Sequence, residues 1–246
     1  MKIVFLLTVM VSLTFTISID ASDPQIKDVS KVGNKKTGFH NKNGPRSHPL
    51  LLNYRAPMRG KPVNRVGGGT RGLEGRIPFL VALVPNHPGL TIQSQPILYW
   101  YFSGHIPCKI EFTLIDEQTI EPIVQERLNI PDPSCMTGIR LSDFGIHLIQ
   151  DVDYQWFVAA VSDPDQRSKD IVASGRIMRV EPSKNLMNKL NQANKMDIPG
   201  IYAEEGLWYD ALSAISALID ADPNNKKLPE TRKDLLKQVG LSGFLE

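Results

Sequence analysis

The sequence predicts an all-β to α+β fold, in which an antiparallel β-sandwich is followed by two or three C-terminal helices packed on it. Between residues 77 and 182, short runs of β-branched and aromatic residues alternate with Pro, Asp, Asn and Gly, and no ten-residue run has helical periodicity. After Pro182, apolar residues return every three or four positions. This change of period predicts strands first and helices second.

The predicted strands follow from local patterns in the first part of this body. Phe79–Pro85 is a short apolar run next to prolines, which suits a buried strand. Ile97–Phe102 is rich in aromatic residues, and Lys109–Ile115 alternates apolar and polar side chains. The remaining predicted strands span residues 89–92, 119–128, 138–141, 152–161 and 171–180.

The aromatic strand allows two interpretations. Its alternation puts Trp100 and Phe102 on one face and Tyr99 and Tyr101 on the other. Aromatic side chains on a sheet usually belong to the core, and this interpretation is favoured. The alternative is a platform on which a sugar or a peptide stacks.

The helices are predicted from the C-terminal part of the chain. Residues 186–190 suit a short polar helix, and Ile201–Asp220 suits a longer helix with an apolar face. A third helix starts near Pro229, since proline is tolerated in a first turn, and ends before Gly240. Two or three helices are too few to bury their own apolar faces. We therefore expect them to complete one core with the sheets. Trp208 is the predicted anchor between helix and sheet.

The first 21 residues have the pattern of a secretory signal peptide. Lys2 supplies a positive charge, Ile3–Ile19 is almost wholly apolar or hydroxylated, and Ala21 offers a small residue for cleavage. An uncleaved anchor is the alternative, but the lysines that follow would then lie on the side that the positive-inside bias disfavours. We therefore expect an exported chain, periplasmic or extracellular after cleavage, with no transmembrane span left in it.

The charge is divided unevenly along the chain. The formal net charge is +2, but residues 22–76 contain twelve basic and three acidic side chains, which leaves −7 for residues 77–246. The segment 22–76 is also rich in Gly, Pro, Asn and Ser, so it is predicted to be a flexible basic arm that ends in a glycine-rich turn. Three interpretations of this arm stay open: a solvated linker, an attachment to a polyanion or glycan, or a segment that docks on the acidic body. Nucleic acid is not the expected partner.

No pattern in the sequence predicts a catalytic residue, a cofactor site or a metal site. Residues 67–72 satisfy G-x-G-x-x-G, but their flanks do not form a strand–turn–helix, so a glycine-rich turn is predicted instead of a nucleotide site. Cys108 and Cys135 are predicted to form a disulfide or to be two separate buried side chains. With only His105 nearby, they lack the paired ligand spacing of a structural zinc site. A Ser–His–acid group assembled only in space stays open.

Eight motifs follow one another along the chain: GGGTRG, LVALVP, LYWYF, EFTLIDE, YQWFVAAV, SGRIMRV, GLWYDAL and a closing LLKQVGL. This series, from about Arg59 to Leu241, resembles the bacterial domain-of-unknown-function family DUF928, which is common in exported cyanobacterial proteins. The resemblance implies export and one body with strands before helices, and it implies no activity. The motif positions, structural or of unknown role, are Gly67, Gly68, Gly69, Thr70, Arg71, Gly72, Trp100, Trp156, Gly175, Arg179, Trp208, Tyr209 and Asp210.

Together, these observations favour an exported, non-catalytic binding or adaptor protein of the cell envelope that engages a protein partner. The alternative is a polyanion or glycan binder that uses the arm 22–76 and an aromatic face of the sheet. A second alternative is a hydrolase whose site is assembled only by the fold.

Overall fold

The computed structural model describes residues 52–57, 68–69, 79–103, 109–119, 121–130 and 136–241. All of these residues belong to one compact unit, 47–246. The fold is α+β, as predicted, with two mostly antiparallel sheets and helices at the C-terminal end.

Nine strands lie within the described residues. They are β1 (Gly68–Gly69), β2 (Phe79–Ala82), β3 (Gly89–Thr91), β4 (Ile97–Phe102), β5 (Lys109–Asp116), β6 (Pro122–Leu128), β7 (Met136–Arg140), β8 (Asp153–Val161) and β9 (Ile171–Arg179). One sheet has the order β1-β2-β4-β7 and the other has the order β3-β9-β8-β5-β6. Each of the eight predicted strands is therefore present, with bounds that differ by a few residues.

Two details of the sheets differ from the prediction. Gly68 and Gly69 lie within the predicted glycine-rich turn, but they pair with Leu80 and Phe79 as the short strand β1. Strand β3 runs parallel to β9, although an antiparallel sheet was expected. In this sheet β3 lies at one edge beside β9, whose other side pairs with β8.

Both sheets contribute to one hydrophobic core. On β4, Leu98, Trp100 and Phe102 are fully buried, whereas Tyr99 and Tyr101 on the opposite face are only half-buried. The core interpretation of Trp100 and Phe102 is therefore confirmed. The two tyrosines on the outer face pack against the margin of this core.

Four helices lie within the described residues: α1 (Lys184–Gln192), α2 (Ile198–Glu204), α3 (Trp208–Ala221) and α4 (Lys227–Gln238). The predicted helix Ile201–Asp220 is thus divided into α2 and α3. Gly206 causes the break, because its φ of +75° is a left-handed conformation that ends a helix. None of the helices in the described residues is long and apolar enough to cross a membrane.

Part of the predicted basic arm packs on the body. Leu52 is 7% exposed and belongs to the core. The backbone N–H of Tyr54 donates to Oε1 of Gln238 at 2.8 Å, and the N–H of Arg55 donates to the carbonyl of Ala203 at 3.0 Å. The interpretation of 22–76 as one flexible arm is therefore wrong for residues 52–57, because the apolar Leu52 side chain finds a place in the core.

Trp208 joins α3 to the first sheet, as predicted. Its side chain is fully buried, and its Nε1–H donates to the carbonyl of Leu83 at 2.8 Å. The ring of Tyr54 packs edge-on against it, with centroids 5.0 Å apart. The indole thus connects the helix to the chain after β2 and to the docked segment 52–57.

Replacing this anchor is expected to destabilise the body strongly. Trp208→Ala removes a buried indole and its hydrogen bond, so we expect the free energy of unfolding to fall by about 3–5 kcal/mol. Chemical denaturation of the full chain measures this change. Met187→Ala, at a side chain that is 40% exposed, is the control and changes the free energy by about 0.5 kcal/mol at most. Equal effects of the two substitutions contradict the anchoring role.

Two left-handed glycines provide a matched test of how segment 52–57 docks. Gly206 and Gly240 have φ of +75° and +76°, but only at Gly206 would an added Cβ meet a neighbour, the carbonyl oxygen of Arg55 at 2.7 Å. We expect Gly240→Ala to cost about 1–2 kcal/mol from backbone strain alone. Gly206→Ala costs more, because it also displaces the docked segment. Denaturation curves compare the two, and the same cost at both positions rules out a tight docking contact.

Candidate functional site

Two motif positions, Trp156 and Gly175, lie together at Tyr209 in the first turn of α3. The hydroxyl of Tyr209 accepts a hydrogen bond from Nε1–H of Trp156 and donates one to the carbonyl of Arg176, each at 2.9 Å. The indole of Trp156 lies directly over Gly175, where an added Cβ would be 2.7 Å from the ring. A Cβ added at Gly89 would likewise be 2.6 Å from the Tyr209 ring. The glycines thus allow the two rings to approach the sheet closely.

Asp210, the next residue, is buried at the end of β3. It is 4% exposed, and its Oδ2 accepts a hydrogen bond from the backbone N–H of Ile92 at 3.1 Å. Its Oδ1 is buried and makes no hydrogen bond of good geometry with the residues that the structure describes. Burial raises the pKa of this carboxyl from 3.8 to about 6, and weak hydrogen bonding by the side chains of Thr91 and Gln93, together with the Ile92 N–H, only partly offsets that rise.

Asp210 lines a cleft of about 410 Å³ that runs along one face of α3. The face consists of positions three or four residues apart, so its members project from the same side of the helix. The opposite wall comes from β4, the end of β7, the loop 92–96 and α2. The lining residues are Thr91, Gln93, Gln95, Pro96, Ile97, Tyr99, Arg140, Ile198, Tyr202, Tyr209, Asp210, Ser213, Ala214, Ala217 and Asp220.

Tyr99 forms the sheet wall of this cleft. Its ring lies over Gly138 on the neighbouring strand, where an added Cβ would be 2.7 Å from the ring. Burial raises the pKa of Tyr99, while hydrogen bonds with Ser213 and Ser216 act in the opposite direction. The phenol is therefore held between β7 and α3, and the outer aromatic face of β4 reaches the cleft through Tyr99.

The charged groups lie in two places along the cleft. Arg140 and Asp220 both lie close enough to Tyr99 to influence its pKa, in opposite directions. Burial lowers the pKa of Arg232, and the nearby Asp220 acts against that change. Asp220 therefore has cationic neighbours, whereas Asp210 is at the other end of α3.

The other motif positions have structural roles or lie outside the described residues. Nη1 of Arg179 donates to the carbonyl of Leu148 at 3.1 Å, which holds the loop before β8 at the end of β9. Trp100 is a core residue. The positions outside the described residues are Gly67, Thr70, Arg71, Gly72, and also Cys108 and Cys135 with the predicted disulfide.

The described histidines do not line the cleft. His147 is exposed, and the ring of His87 stacks on that of Tyr54 with centroids 6.0 Å apart. Asp163 accepts hydrogen bonds from the N–H of Asp165 and from Gln166, as a solvated turn would. The part of the chain that the structure describes contains no group of three side chains suited to a metal ion.

Most of the cleft residues were missed by sequence reasoning, apart from Asp210 and Tyr209 as motif positions and Tyr99 as an aromatic face. One signal was available for α3. Asp210, Ser213, Ala217 and Asp220 recur at helical spacing as a face of small and polar side chains beside the apolar one. The contributions of Gln93, Arg140 and other side chains in loops and strand ends carry no such periodicity.

The fold and the cleft define the class of this protein: a two-sheet α+β body with a helix-bordered cleft of mixed polarity. The family follows from sequence comparison. The family described as Domain of Unknown Function (DUF928) matches residues 66–246, and the chain belongs to it, which confirms the resemblance noted in the sequence. A comparison with curated proteins found no match.

The buried carboxyl of Asp210 predicts a pH-dependent stability. Its pKa is raised in the folded state, from 3.8 to about 6, so the folded protein holds the proton more tightly than the unfolded chain between these values. The free energy of unfolding should therefore fall by about 3 kcal/mol from this group as the pH rises from about 4 to about 6.

Asp210→Asn isolates this contribution. The variant keeps an oxygen that can accept from the Ile92 N–H but has no proton to lose. We expect the free energy of unfolding of the wild type, minus that of the variant, to decrease as the pH rises from about 4 to about 6. Urea denaturation at a series of pH values measures this difference. A difference that does not change with pH contradicts the raised pKa.

Proposed function

We propose that this chain is an exported, non-catalytic binding protein of the cell envelope that engages a protein partner through the cleft along α3. The observation that carries the proposal is the cleft itself, with its buried, incompletely hydrogen-bonded Asp210. Ligand sites are typically concave, mostly apolar and supplied with a few convergent polar groups. A perturbed carboxyl in such a place is a common sign of a functional site.

The dimensions of the cleft suit an extended segment of a partner. From Asp210 to Asp220 the helix rises by about 15 Å. An extended chain covers that length with about four residues. The walls offer amides at Gln93 and Gln95, a hydroxyl at Ser213 and apolar surface at Ala217, so backbone groups and side chains of a peptide can both be contacted.

The lining favours binding over nucleophilic catalysis. Among the described residues that line the cleft, the hydroxyls are those of Thr91, Ser213 and three tyrosines, and there is no histidine or cysteine. Hydroxyl nucleophiles need an adjacent base to be activated. The polar side chains are therefore better suited to recognition than to a hydrolytic reaction.

A glycan is the second candidate ligand, and one observation favours it. Tyr99, on the outer aromatic face of β4, lines the cleft together with Gln93 and Gln95. An aromatic ring beside planar amides suits a sugar as well as a peptide. The basic arm could also bind a polyanion or glycan. Its residues 22–51 lie outside the described part of the chain.

The test is capture of a partner from an envelope fraction by the tagged chain and by variants of the cleft. Ala217→Trp fills the cleft, so we expect it to reduce capture of a partner at least about tenfold, since several contacts are lost together. Ala221→Trp is the matched control on the same helix, at an exposed position outside the cleft lining. It should capture the partner as the wild type does.

The same experiment distinguishes the alternatives. Capture that survives Ala217→Trp but is lost in high salt and on deletion of residues 22–46 indicates attachment through the arm. Retention of an oligosaccharide, with no protein held through the cleft, indicates the glycan alternative. Recovery of the chain from the cytoplasm with residues 1–21 intact contradicts export.

A further inference from the structure

The Asp210 end of the cleft holds a buried carboxylate that is only weakly hydrogen-bonded. Asp210 is 4% exposed and lines the cleft, and its Oδ1 makes no hydrogen bond of good geometry in the described part of the chain, although the side chains of Thr91 and Gln93 are close enough to lower its pKa. Burying such a carboxylate is costly, and a positively charged donor on a ligand would offset that cost. Its other oxygen is held by the Ile92 N–H, so the carboxyl group is already fixed in position.

The charges around the cleft indicate which kind of donor would suit this carboxylate. The described lining residues include two carboxylates, Asp210 and Asp220, and one cation, Arg140. Arg140 and Asp220 share the neighbourhood of Tyr99 at the far end of the cleft. The one guanidinium among these residues therefore lies with Asp220, and the Asp210 end keeps a negative charge that no described lining residue balances.

Aromatic side chains lie beside this unbalanced carboxylate. Tyr202 on α2 is near enough for the charge of Asp210 to add to the rise in its pKa that burial causes. Tyr202 and Tyr209 both line the cleft. Tyrosine rings attract cations, so a carboxylate next to them forms an environment suited to an ammonium group.

We infer that the Asp210 end of the cleft recognises a primary ammonium group of the bound partner, either an N-terminal amine or a lysine side chain. The inference rests on the proposed function, because it assumes that a segment of the partner occupies the cleft. An ammonium carries three hydrogen-bond donors and a full positive charge, so it can hydrogen-bond to Asp210 and also balance its negative charge. A neutral sugar hydroxyl can donate a hydrogen bond but cannot balance the charge.

The proposal has a pH dependence. An ammonium binds the ionised carboxylate, and burial sets the pKa of Asp210 at about 6 in the unliganded protein. The described groups that face Asp210 are Thr91, Ile92 and Gln93 on one side and the phenol of Tyr202 on the other. None of them changes charge between pH 5 and 8, so we expect affinity to fall about tenfold for each pH unit below 6.

The experiment titrates the full mature chain with small probes and follows the amide resonance of Ile92 by NMR. n-Butylammonium represents a lysine side chain and glycinamide represents an N-terminal amine. Their neutral counterparts are n-butanol and N-acetylglycinamide, and cellobiose represents a glycan. At pH 7 we expect at least one ammonium probe to bind about tenfold more tightly than its neutral counterpart, and the better probe identifies the source of the amine.

Two variants locate the site. Asp210→Asn keeps the acceptor for Ile92 but loses the charge, so it should abolish the preference for ammonium. Asp222→Asn, at an exposed position just after α3 and outside the cleft lining, is the matched control and should preserve it. The carboxyl resonance of Asp210 in the wild type gives a readout that needs no variant, because a bound ammonium must lower the pKa of this group.

The outcomes separate the inference from the proposed function. Equal binding of ammonium and neutral probes, an unchanged preference in Asp210→Asn, or cellobiose binding alone overturns the inference. If partner capture is lost in Ala217→Trp but unaffected by Asp210→Asn, the proposed function stands and the inference fails. If neither substitution affects capture while ammonium probes still bind, the site exists but the partner does not use the cleft.

Discussion

The docking of the first turn of α3 is the constraint on which the rest of the structure depends. Three consecutive side chains there reach three different places: Trp208 the chain after β2, Tyr209 the pair β8 and β9, and Asp210 the end of β3. Each contact is a hydrogen bond from or to a buried group. The penalty for leaving such a group without its hydrogen bond is larger than the net stability that the bond adds. These bonds hold the helix and both sheets in one arrangement, and the packing of Tyr54 on Trp208 adds the docked segment 52–57 to it.

The same docking creates the cleft. Because Trp208 and Tyr209 face the core, the helical repeat directs Asp210 and the small residues that follow it toward β4 and α2. The short side chains of Ala214 and Ala217 leave space that larger residues would fill. The buried carboxyl does not favour the folded state at neutral pH, as its raised pKa shows. A group that is retained at a cost, in a cavity, is explained more easily by ligand recognition than by stability.

The fold could be predicted well from the sequence because strand and helix periodicities are local. The alternation from Leu98 to Phe102 divided β4 into two faces, and the structure showed that Leu98, Trp100 and Phe102 form the buried one. The break at Gly206 was missed because an isolated glycine in a periodic apolar stretch is often tolerated in a helix. Segment 52–57 was missed for a different reason: its basic and proline-rich surroundings resemble a linker, and only the long-range contact of Leu52 with the core distinguishes it.

The sequence by itself determined the order of strands and helices and the division of β4 into two faces, since both depend on neighbours within a few residues, and it predicted Trp208 as the anchor between helix and sheet. It also marked Trp156, Gly175, Tyr209 and Asp210 as motif positions without a role. Only the tertiary structure decided that the first three pack and bond together and that Asp210 is buried in a cleft with one weakly hydrogen-bonded oxygen. The hydrogen bonds of Tyr209 with Trp156 and of Asp210 with Ile92 join residues 53 and 118 positions apart, and the environment of a buried carboxyl depends on groups brought to it from such distances.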